Sequence, residues 1–513
     1  MQTARVVLAV LFAVSALTGM SYAETHTAAS PAYADVKAAI DAAGPGDTVV
    51  VPAGTATWDA CLSITKGVVL RGAGVGETVI TGNVDDRLGG VIRYWPAAPD
   101  LNEPFRITGF TLDGGGKSNV VYLANRTAHA IDKVRIDHNK LVNPGGPGRV
   151  VYVSGTVHGV IDNNVIDGGT SAGVYGANET SWANLPLEFG TAASLYFEDN
   201  VITGPTFGVS SGQGGRYVMR YNAFSGATSN RWPVFGMPGN QPKLFGTMQA
   251  EVYGNRVDMG TFGGLFVSQG GGQALVFGNK VISGPLTCAI TEEHDDAIDG
   301  ATYVQHVTNS YYWQNMRSGT ELLPAQHRVY GSGTATGGGE DFLEDSRERL
   351  PVSDDGRYGV IIDAGTGAGQ ARQVVSSAKT RLTVAPKWDT VPDSTSQYRV
   401  VRDPRNQVVE NREFFNQNDA FDGTAGIGCG PLSERPATGA PGVAYWATDQ
   451  DCTTVSDANV GAHPTVPIQG TLYKCTEPDT WTEFYTPHAY PHPLRGSGPV
   501  ADAPAAAQPG PQD

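Results

Sequence analysis

Residues 292–296, Glu-Glu-His-Asp-Asp, form the densest cluster of charged side chains in the chain. The four carboxylates of Glu292, Glu293, Asp295 and Asp296 can coordinate a hard cation such as Ca²⁺, which would neutralise a sugar carboxylate during β-elimination. Alternatively, two of these carboxylates, with the pKa of one raised, could perform general acid catalysis on a glycosidic bond. A solvated acidic loop is the third interpretation, since the segment lacks the ligand spacing of an EF-hand.

A row of amide and aromatic side chains precedes this cluster. Alternation in GVYGAN, GVSSGQGG, VFGMPGN, GLFVSQGG and CAITEEHDD predicts that Val174, Val209, Val234, Leu265 and Cys288 point inward, and that Tyr175, Ser210, Phe235, Phe266 and Ala289 point outward. The same alignment places one row at the strand ends: Asn178, Gln213, Pro238, Gln269 and Glu292. Amides bond hydroxyl groups and aromatic faces stack on pyranose rings, so we predict sugar binding by Tyr175, Asn178, Gln213, Phe266 and Gln269. Solvated turn residues are the alternative.

A third candidate is a pair of opposite charges, Glu198 and Arg220, predicted to be neighbours on adjacent strands. The favoured interpretation is a surface ion pair that contributes well under about 1 kcal/mol. A role for Arg220 beside a catalytic base is the alternative.

The elements that position these residues follow from a repeated asparagine. Short apolar runs end in an asparagine and continue with a second apolar pair at Asn139, Asn164, Asn200, Asn222, Asn255, Asn279, Asn309 and Asn411. Intervals of 22 to 36 residues separate the first seven, which is one supersecondary unit per interval. Asparagine tolerates unusual backbone angles, so each unit is a strand, a tight bend and another strand.

Asparagines at equivalent bends can stack about 4.8 Å apart along a parallel sheet and bond to one another in a ladder. We therefore predict an all-β fold, a right-handed parallel β-helix, in preference to a β-sandwich with asparagine turns. The asparagine also sorts the preceding strand: the residue three before it is interior, and the residue two before it is on the outer face. This places Asp137 beside Asp162.

Composition agrees with many short strands. The chain has 513 residues, with 66 glycines, 32 prolines and 17% charged residues. The net charge of −16 argues against nucleic acid as a partner, and polyanion binding requires a local basic cleft or bound cations. Residues 1–23 resemble a secretory signal cleaved after Ala23, and no later apolar stretch is long enough to span a membrane. We expect an exported protein, and the sequence leaves its oligomeric state open.

The predicted division of the chain is a signal peptide (1–23), a parallel β-helix (24–327), an inserted small β-module (328–401), a final β-helix coil (402–425), a C-terminal β-rich cap with a hairpin (426–495) and a disordered tail (496–513). A helix from Asp35 to Ala43 is predicted to cover the N-terminal end of the solenoid. Of five cysteines, Cys452 and Cys475 are the preferred disulfide pair.

The segments GDTVVVPAGT, YFEDNVITG, GGRYVMRYN and YTPHAYPHPL resemble secreted bacterial right-handed β-helix proteins of the pectate-lyase-like superfamily. The resemblance spans most of the chain and implies the fold. It does not fix the chemistry, because the superfamily contains polysaccharide lyases, glycoside hydrolases, esterases, epimerases and adhesins.

The resemblance also implies catalytic roles. Arg231-Trp232-Pro233 is similar to the start of an Arg-x-Pro-x-x-Arg motif whose first arginine is the base, although Gly236 stands where the second arginine belongs. Lys243 and Arg220 are further cations near it, and VRIDHN resembles a strand that carries a Ca²⁺-binding aspartate, here Asp137. The motifs of polygalacturonase-like hydrolases fit less well: Val157-His158-Gly159 is a fragment of Gly-His-Gly, and no Arg-Ile-Lys occurs. Asp295-Asp296, with His294 adjacent, could stand in for the paired aspartates of that family.

We therefore expect an exported carbohydrate-active protein, first of all a Ca²⁺-dependent polysaccharide lyase that cleaves a uronate-containing polymer by β-elimination. Its predicted catalytic residues are Arg231, Lys243, Arg220 and His294. The alternatives are a glycan-binding or surface-adhesion protein without catalysis, and a glycoside hydrolase that uses paired carboxylates.

Overall fold

The computed structural model describes most of the chain beyond the predicted signal. The described residues are 23–85, 89–97, 102–127, 129–145, 148–176, 182, 185–205, 207–226, 233–239, 246–261, 264–284, 286–291, 306–326, 331–347, 358–402 and 408–496.

Three long sheets form the faces of a solenoid. Sheet A contains, among the described residues, twelve strands: Thr25–Thr27, Thr48–Val50, Val69–Arg71, Phe105–Thr108, Ile131–Asp137, Val157–Asp162, Leu195–Glu198, Arg216–Arg220, Gln249–Tyr253, Gln273–Phe277, Ser310–Trp313 and Phe414–Asn416. Sheet B follows each asparagine bend: Gly54–Trp58, Thr78–Gly82, Thr111–Asp113, Lys140–Val142, Val165–Asp167, Val201–Thr203, Ala223–Ser225, Arg256–Asp258, Lys280–Ser283, Met316–Arg317 and Thr320–Glu321. Sheet C closes each coil: Leu62–Ile64, Gly90–Tyr94, Asn119–Ala124, Arg149–Ser154, Thr170–Tyr175, Phe207–Gly212, Phe235–Met237, Gly264–Gln269, Leu286–Ile290 and Pro324–Gln326.

Strands of successive coils pair in parallel, for example Ile161 with Phe197 in sheet A and Ile166 with Ile202 in sheet B. Among the described strands of sheets A, B and C, the one antiparallel pair is the last of sheet B, Met316–Arg317 with Thr320–Glu321. The predicted fold class, a right-handed parallel β-helix, is confirmed. One residue of each alternating pair points into the solenoid, and valine, isoleucine and phenylalanine fill its continuous core.

The asparagine ladder joins sheets A and B. Each side-chain amide donates to the next carbonyl oxygen, from Asn139 to Asn164 at 3.1 Å through to Asn279 and Asn315 at 2.8 Å. The intermediate members are Asn164, Asn200, Asn222, Asn255 and Asn279. The seventh rung is therefore Asn315, and the prediction of Asn309 was wrong, because Asn309 precedes the strand Ser310–Trp313 rather than following it.

Asn411 is also outside the ladder. Its side-chain oxygen accepts from the backbone of Gly426 at 2.7 Å, so it supports a turn instead of a rung. The strand Phe414–Asn416 therefore comes after Asn411, and the repeat that the sequence indicates at Asn411 is not a rung of the ladder.

The N-terminal helix, Tyr33–Ala42, buries Val36, Ala39 and Ile40 against the first strands of the solenoid. It begins two residues before the predicted start and covers the edge where sheet pairing would otherwise be open. A helix at this end is what the repeat architecture requires.

Two further sheets lie outside the coils. The insert sheet is antiparallel and contains Gly331–Thr334, Gly337–Gly339, Phe342–Glu344, Tyr358–Ala364, Ala371–Ala378, Arg381–Ala385 and Gln397–Arg402 around its own apolar core. The C-terminal sheet contains Ile427–Gly430, Ala444–Ala447 and a hairpin of Thr471–Glu477 with Thr480–Tyr485. The exact domain boundaries remain a prediction.

The C-terminal region covers the outer face of sheet A. Trp446, Leu472 and Tyr485 pack in one cluster with Tyr253 and Phe277 of sheet A, all of them buried. No helix among the described residues is long and apolar enough to cross a membrane.

The disulfide joins Cys429 to Cys452, with a Cα–Cα distance of 5.8 Å, so the predicted Cys452–Cys475 pair was wrong. Cys475 is buried in the C-terminal cluster, and its thiol lies 3.0 Å from the carbonyl oxygen of Glu477. Pairing of the strands at 427–430 and 444–447 brings Cys429 near the loop that carries Cys452.

Candidate functional site

The outer face of sheet C carries a strip of arginine and aromatic side chains. We define the sheet C strip as Arg93, Trp95, Tyr122, Arg126, Arg149, Tyr152 and Tyr175. Arg93, Tyr122 and Tyr152 are paired in register on consecutive strands, so they form one outward row. Alternation explains the row, because Val121 and Leu123 on either side of Tyr122 enter the core.

Stacked rings form the centre of the strip. The rings of Tyr122 and Tyr152 stack with centroids 4.9 Å apart, and Tyr175 lies 5.7 Å further along. Tyr122 is only 2% exposed and supports the half-buried ring of Tyr152. Burial raises the pKa of Tyr152, while the nearby charges of Arg149 and Arg126 oppose that rise.

Arg149 lies across two of these rings. Its guanidinium carbon is 5.3 Å from the ring centre of Tyr152 and 5.0 Å from that of Tyr175, and Nη2 donates to the Tyr175 hydroxyl at 2.8 Å. Gly173 makes this possible, because a Cβ there would come within 2.1 Å of Arg149 Cδ. The cation is thus held at a defined position on the outer face.

A second cationic group surrounds Trp95. The guanidinium carbons of Arg93 and Arg126 lie 5.2 and 4.8 Å from the Trp95 ring centre. Arg93 also donates to the Ser63 hydroxyl at 3.2 Å. The chain is acidic overall, with a net charge of −16, so the strip is a local concentration of positive charge on this face.

Tyr175 is the predicted site residue that the structure places in the strip, where it is half-buried and faces outward. Gln213 lies in the turn after Phe207–Gly212, is half-buried and has a φ of 52°. Its predicted role in sugar binding remains a prediction.

Phe266 and Gln269 are in the core, so the prediction that they face a ligand was wrong. Val267 pairs with Phe235 and with Cys288, whereas Phe266 is an extra residue at a shift of register. Such an insertion turns side chains to the other face. Phe266 is 0% exposed and its ring centre is 5.4 Å from that of Phe235, which was also predicted to point outward.

Gln269 has its polar atoms fully occupied inside the solenoid. Its amide donates to the carbonyl oxygen of Gly272 and to the Ser310 hydroxyl, at 3.0 and 2.8 Å. Its carbonyl oxygen accepts from the Tyr312 hydroxyl at 2.6 Å. A substrate could bond to this amide only by breaking these contacts.

Arg220 and Glu198 are buried, so the interpretation as a surface ion pair was wrong. Both side chains are 0% exposed, and Arg220 Nε donates to Glu198 Oε2 at 2.8 Å. Arg220 also donates to the carbonyl oxygens of His488 and Ala489 in the C-terminal segment. Burial would raise the pKa of Glu198, but Arg220 and Arg495 outweigh it and hold the pKa below its usual value.

Asp137, the aspartate that resembles a Ca²⁺ ligand, does not fit that role. Its buried carboxylate accepts from Arg106 Nε at 2.6 Å and lies 2.7 Å from His138 Nδ1, with Arg135 at 3.6 Å. Burial raises its pKa, yet these hydrogen bonds and charges bring the pKa down to about 2. Cationic donors occupy the oxygens that a metal would need.

The remaining predicted site residues lie outside the described part of the chain. They are Asn178, Arg231, Lys243, Glu292, Glu293, His294, Asp295 and Asp296. Within the described residues, no group of three or more His, Cys, Asp or Glu side chains could hold a metal ion. The Ca²⁺ prediction therefore rests on residues 292–296 alone.

Sequence analysis missed most of the strip because it searched only the coils after Ser171. The signal was available: GVIRYW, NVVYLANR and RVVYVS each place an arginine or a tyrosine at the outward positions of a strand-like run. Extending the inward and outward alternation to earlier coils would have found Arg93, Tyr122 and Tyr152.

Comparison with known proteins gives similarities of low identity. The A-module of a mannuronan C-5 epimerase from Azotobacter vinelandii is 19% identical, with 55% of this chain and 82% of that chain covered and a TM-score of 0.35. An alginate lyase from Paenibacillus is 16% identical over 59% of this chain and 98% of its own, with a TM-score of 0.32. The ORF18 protein of Geobacillus virus E2 is 13% identical, with coverages of 74% and 76% and a TM-score of 0.31. No family model and no curated protein sequence matches the chain.

Proposed function

We propose that this protein is an exported carbohydrate-active β-helix protein that binds a uronate-containing polysaccharide along the sheet C strip and cleaves it by β-elimination. The observation that carries the proposal is Arg149, fixed over Tyr152 and Tyr175 on an outward face. A cation beside stacked rings matches a pyranose ring that bears a carboxylate.

In this proposal, the arginines and the aromatic rings of the strip bind different parts of the polymer. Arg93, Arg126 and Arg149 would pair with sugar carboxylates, and the rings of Trp95 and Tyr152 would contact pyranose faces. These arginines lie on three consecutive coils, so the cations extend along the solenoid axis. An extended polymer can therefore meet several of them at once.

Elimination requires neutralisation of the uronate carboxylate and removal of the proton beside it. Arg149 suits the first task, because its guanidinium is held in place by the Tyr175 hydroxyl. Arg231 is the proposed base, with Lys243 as a second candidate, as the sequence motif indicates. His294 and a Ca²⁺ ion held by Glu292, Glu293, Asp295 and Asp296 belong to the same proposal, and Asn178 and Gln213 would bond sugar hydroxyls.

Incubation with alginate, pectate and hyaluronate, with and without chelator, tests the reaction. We expect the ultraviolet absorbance of an unsaturated uronate to rise with at least one polymer. No rise with any polymer would contradict β-elimination. Loss of the signal on chelation would support the proposed Ca²⁺ site.

Two other outcomes identify the alternatives. Reducing ends released without ultraviolet absorbance would indicate hydrolysis by paired carboxylates. Polymer binding without any cleavage would indicate a glycan-binding or adhesion protein, for which the strip alone is sufficient.

A further inference from the structure

A second group of residues with chemical potential lies where the strands of sheet A begin, outside the sheet C strip. Several buried polar atoms there have no hydrogen-bond partner among the described residues: Thr156 Oγ1, His158 Nε2, Trp182 Nε1, Ser194 Oγ and Arg216 Nε. Buried polar atoms are normally paired, since an unpaired one costs free energy. A concentration of them in one place therefore needs a chemical explanation.

Three of these side chains form a line across consecutive strands, and Asp132 precedes them in it. Gly159 pairs with Leu195, and Leu195 pairs with Tyr217, so the residues before them, His158, Ser194 and Arg216, are successive neighbours. Asp132 precedes them on the strand Ile131–Asp137, where the register shifts opposite His158. Neighbouring strands are about 4.8 Å apart, so the order along the line is Asp, His, Ser, Arg.

The imidazole of His158 is oriented by the residues before it in the line. Nδ1 lies 2.7 Å from Asp132 Oδ1, so it donates to that carboxylate and leaves Nε2 as an acceptor. Asn102 holds Asp132 in turn, because its amide donates to Asp132 Oδ2 at 2.8 Å and its oxygen accepts from the Asp132 backbone at 3.0 Å. Ser194 follows His158 in the line, on the side away from Asp132, and neither Nε2 nor Ser194 Oγ has a hydrogen-bond partner among the described residues, so the two atoms are neighbours that are not bonded to each other in this structure.

We propose that Asp132, His158 and Ser194 form a hydrolytic centre for small acyl esters, with Arg216 Nε as a donor to the oxyanion. This arrangement contains a nucleophile, a base oriented by a carboxylate and a cationic donor beside the nucleophile. Asp132 and Asn102 are positioning residues.

The reaction has two balanced halves. Ser194 Oγ bonds to the ester carbonyl carbon while its proton passes to His158 Nε2, and that proton then leaves with the alcohol as the ester C–O bond breaks. Water next attacks the acyl group and gives a proton to Nε2. The acyl–Oγ bond breaks, the carboxylic acid is released and Ser194 recovers its proton. Water is the sole co-reactant.

The Trp182 indole covers the centre. It is 0% exposed, and its ring centre is 5.8 Å from that of His158. Ser194 is also 0% exposed, so the class of ligand is a small acyl group such as acetyl. Trp182→Ala removes the indole, and it should increase the reaction with a small probe.

The test uses the full chain with p-nitrophenyl acetate and a fluorophosphonate reagent. We expect hydrolysis and a covalent label on the peptide containing Ser194, both stronger in Trp182→Ala. Ser194→Ala should abolish the label and reduce hydrolysis at least about 100-fold. Asp132→Asn should slow hydrolysis by a similar factor while the label remains on Ser194.

Ser118→Ala is the matched control, because Ser118 is equally buried, at 2% exposure, and its hydroxyl bonds only locally to the carbonyl oxygen of Asn119. It should react like the unmodified chain. Absence of label and of hydrolysis in both the unmodified chain and Trp182→Ala, with all variants folded, would overturn the proposal. Ordered water on each unpaired atom in a crystal structure, without reactivity, would overturn it too. Neither result would affect polymer binding at the sheet C strip.

Discussion

At the scale of single residues, Arg149 differs from an arginine of sheet A such as Arg220 in the groups that its guanidinium contacts. Arg220 uses its guanidinium on Glu198, Tyr253 and two backbone carbonyl oxygens under the C-terminal segment. Arg149 rests on two rings at the outer face, bonded to the Tyr175 hydroxyl. Arg220 therefore stabilises the fold, whereas Arg149 is the cation that we propose binds the polymer.

Replacing Arg149 tests the polymer site directly. Arg149→Gln should weaken binding of an acidic polysaccharide about tenfold, because one charge-assisted contact is lost. Gly173→Ala should weaken it as well, because the added Cβ displaces the Arg149 side chain. Calorimetric titration with oligouronates at low salt would measure both changes.

Lys37→Gln, on the N-terminal helix, is the control, because it removes one positive charge away from the sheet C strip. An equal loss of affinity in that control would contradict a local role for Arg149.

Glu251 predicts a dependence of stability on pH. It is 0% exposed, accepts from the Tyr485 hydroxyl at 2.8 Å and from the Gly190 backbone at 2.9 Å, and burial raises its pKa to about 7. The folded state therefore binds its proton more tightly than the unfolded chain. This contribution is favourable at low pH and is lost as the pH rises through about 7.

Urea unfolding at pH 5 and pH 8 would measure the effect. Glu251→Gln should flatten the fall in unfolding free energy between these two pH values, because its amide does not titrate. Glu483→Gln is the control, since Glu483 also accepts from a tyrosine hydroxyl, that of Tyr473 at 3.2 Å, but is exposed. Identical pH slopes for the unmodified chain and Glu251→Gln would show that the proton on Glu251 has no influence on folding.

At the scale of elements, the asparagine ladder determines the register of sheets A and B. Asn222 donates to the carbonyl oxygens of Phe197 and Arg220 and to Asn255 Oδ1. It also accepts from the backbone and side chain of Asn200. Loss of one rung therefore leaves several buried groups unpaired.

Asn222→Ala should lower the free energy of unfolding by about 3 kcal/mol, because each unpaired buried group costs about 1–3 kcal/mol. Asn83→Ala is the control, since Asn83 is exposed and its side chain bonds to the surface side chains of Asp59 and Lys117. Denaturant unfolding of both variants would measure the difference. A change below about 0.5 kcal/mol in Asn222→Ala would mean that the ladder contributes little.

The repeat made the fold predictable because one residue type marks one place in every coil. It failed at two points, each with a local cause. Asn309 fits the pattern of letters but precedes its strand, so Asn315 forms the rung. Phe266 is an extra residue in its strand, and such an insertion cannot be recognised from alternation alone.

The candidate site was harder to predict than the fold. Arg220 and Glu198 are outward in the solenoid, as predicted, yet they are buried by a C-terminal segment that contacts them from 268 and 294 residues later in the chain. The alternation of side chains within one coil cannot show that a distant segment of the chain covers its outer face. The sheet C strip was not predicted for a different reason. Most of its residues lie on strands before Ser171, whereas the predicted row of amides and carboxylates lies after it.

At the scale of the whole molecule, the outer faces of sheets A and C differ in what covers them. The face of sheet A is closed by the C-terminal sheet and by residues 488–495, so its charges pair internally. The sheet C strip retains arginines at an outward face of a chain with net charge −16. Under the proposed function, this local positive charge on an acidic protein would direct an acidic polymer to that face.

Arg495 holds the closing segment on sheet A. Its guanidinium bonds to Glu198 at 2.9 Å, to Asp199, and to Asp162 at 3.3 Å, and these three carboxylates are buried. Arg495→Leu would leave this group of carboxylates short of one cation. Removing one partner of a buried ion pair typically costs about 3–5 kcal/mol.

We therefore expect Arg495→Leu to lower the unfolding free energy by about that amount and to increase binding of a hydrophobic dye as the cover over sheet A loosens. Arg412→Leu is the control, because Arg412 is largely exposed and pairs with its neighbour Glu413. Polymer affinity should stay unchanged in Arg495→Leu at temperatures where the chain is folded, since the sheet C strip lies on another face. A parallel loss of polymer affinity would show that the two faces are coupled, and that the cover over sheet A also shapes the binding surface.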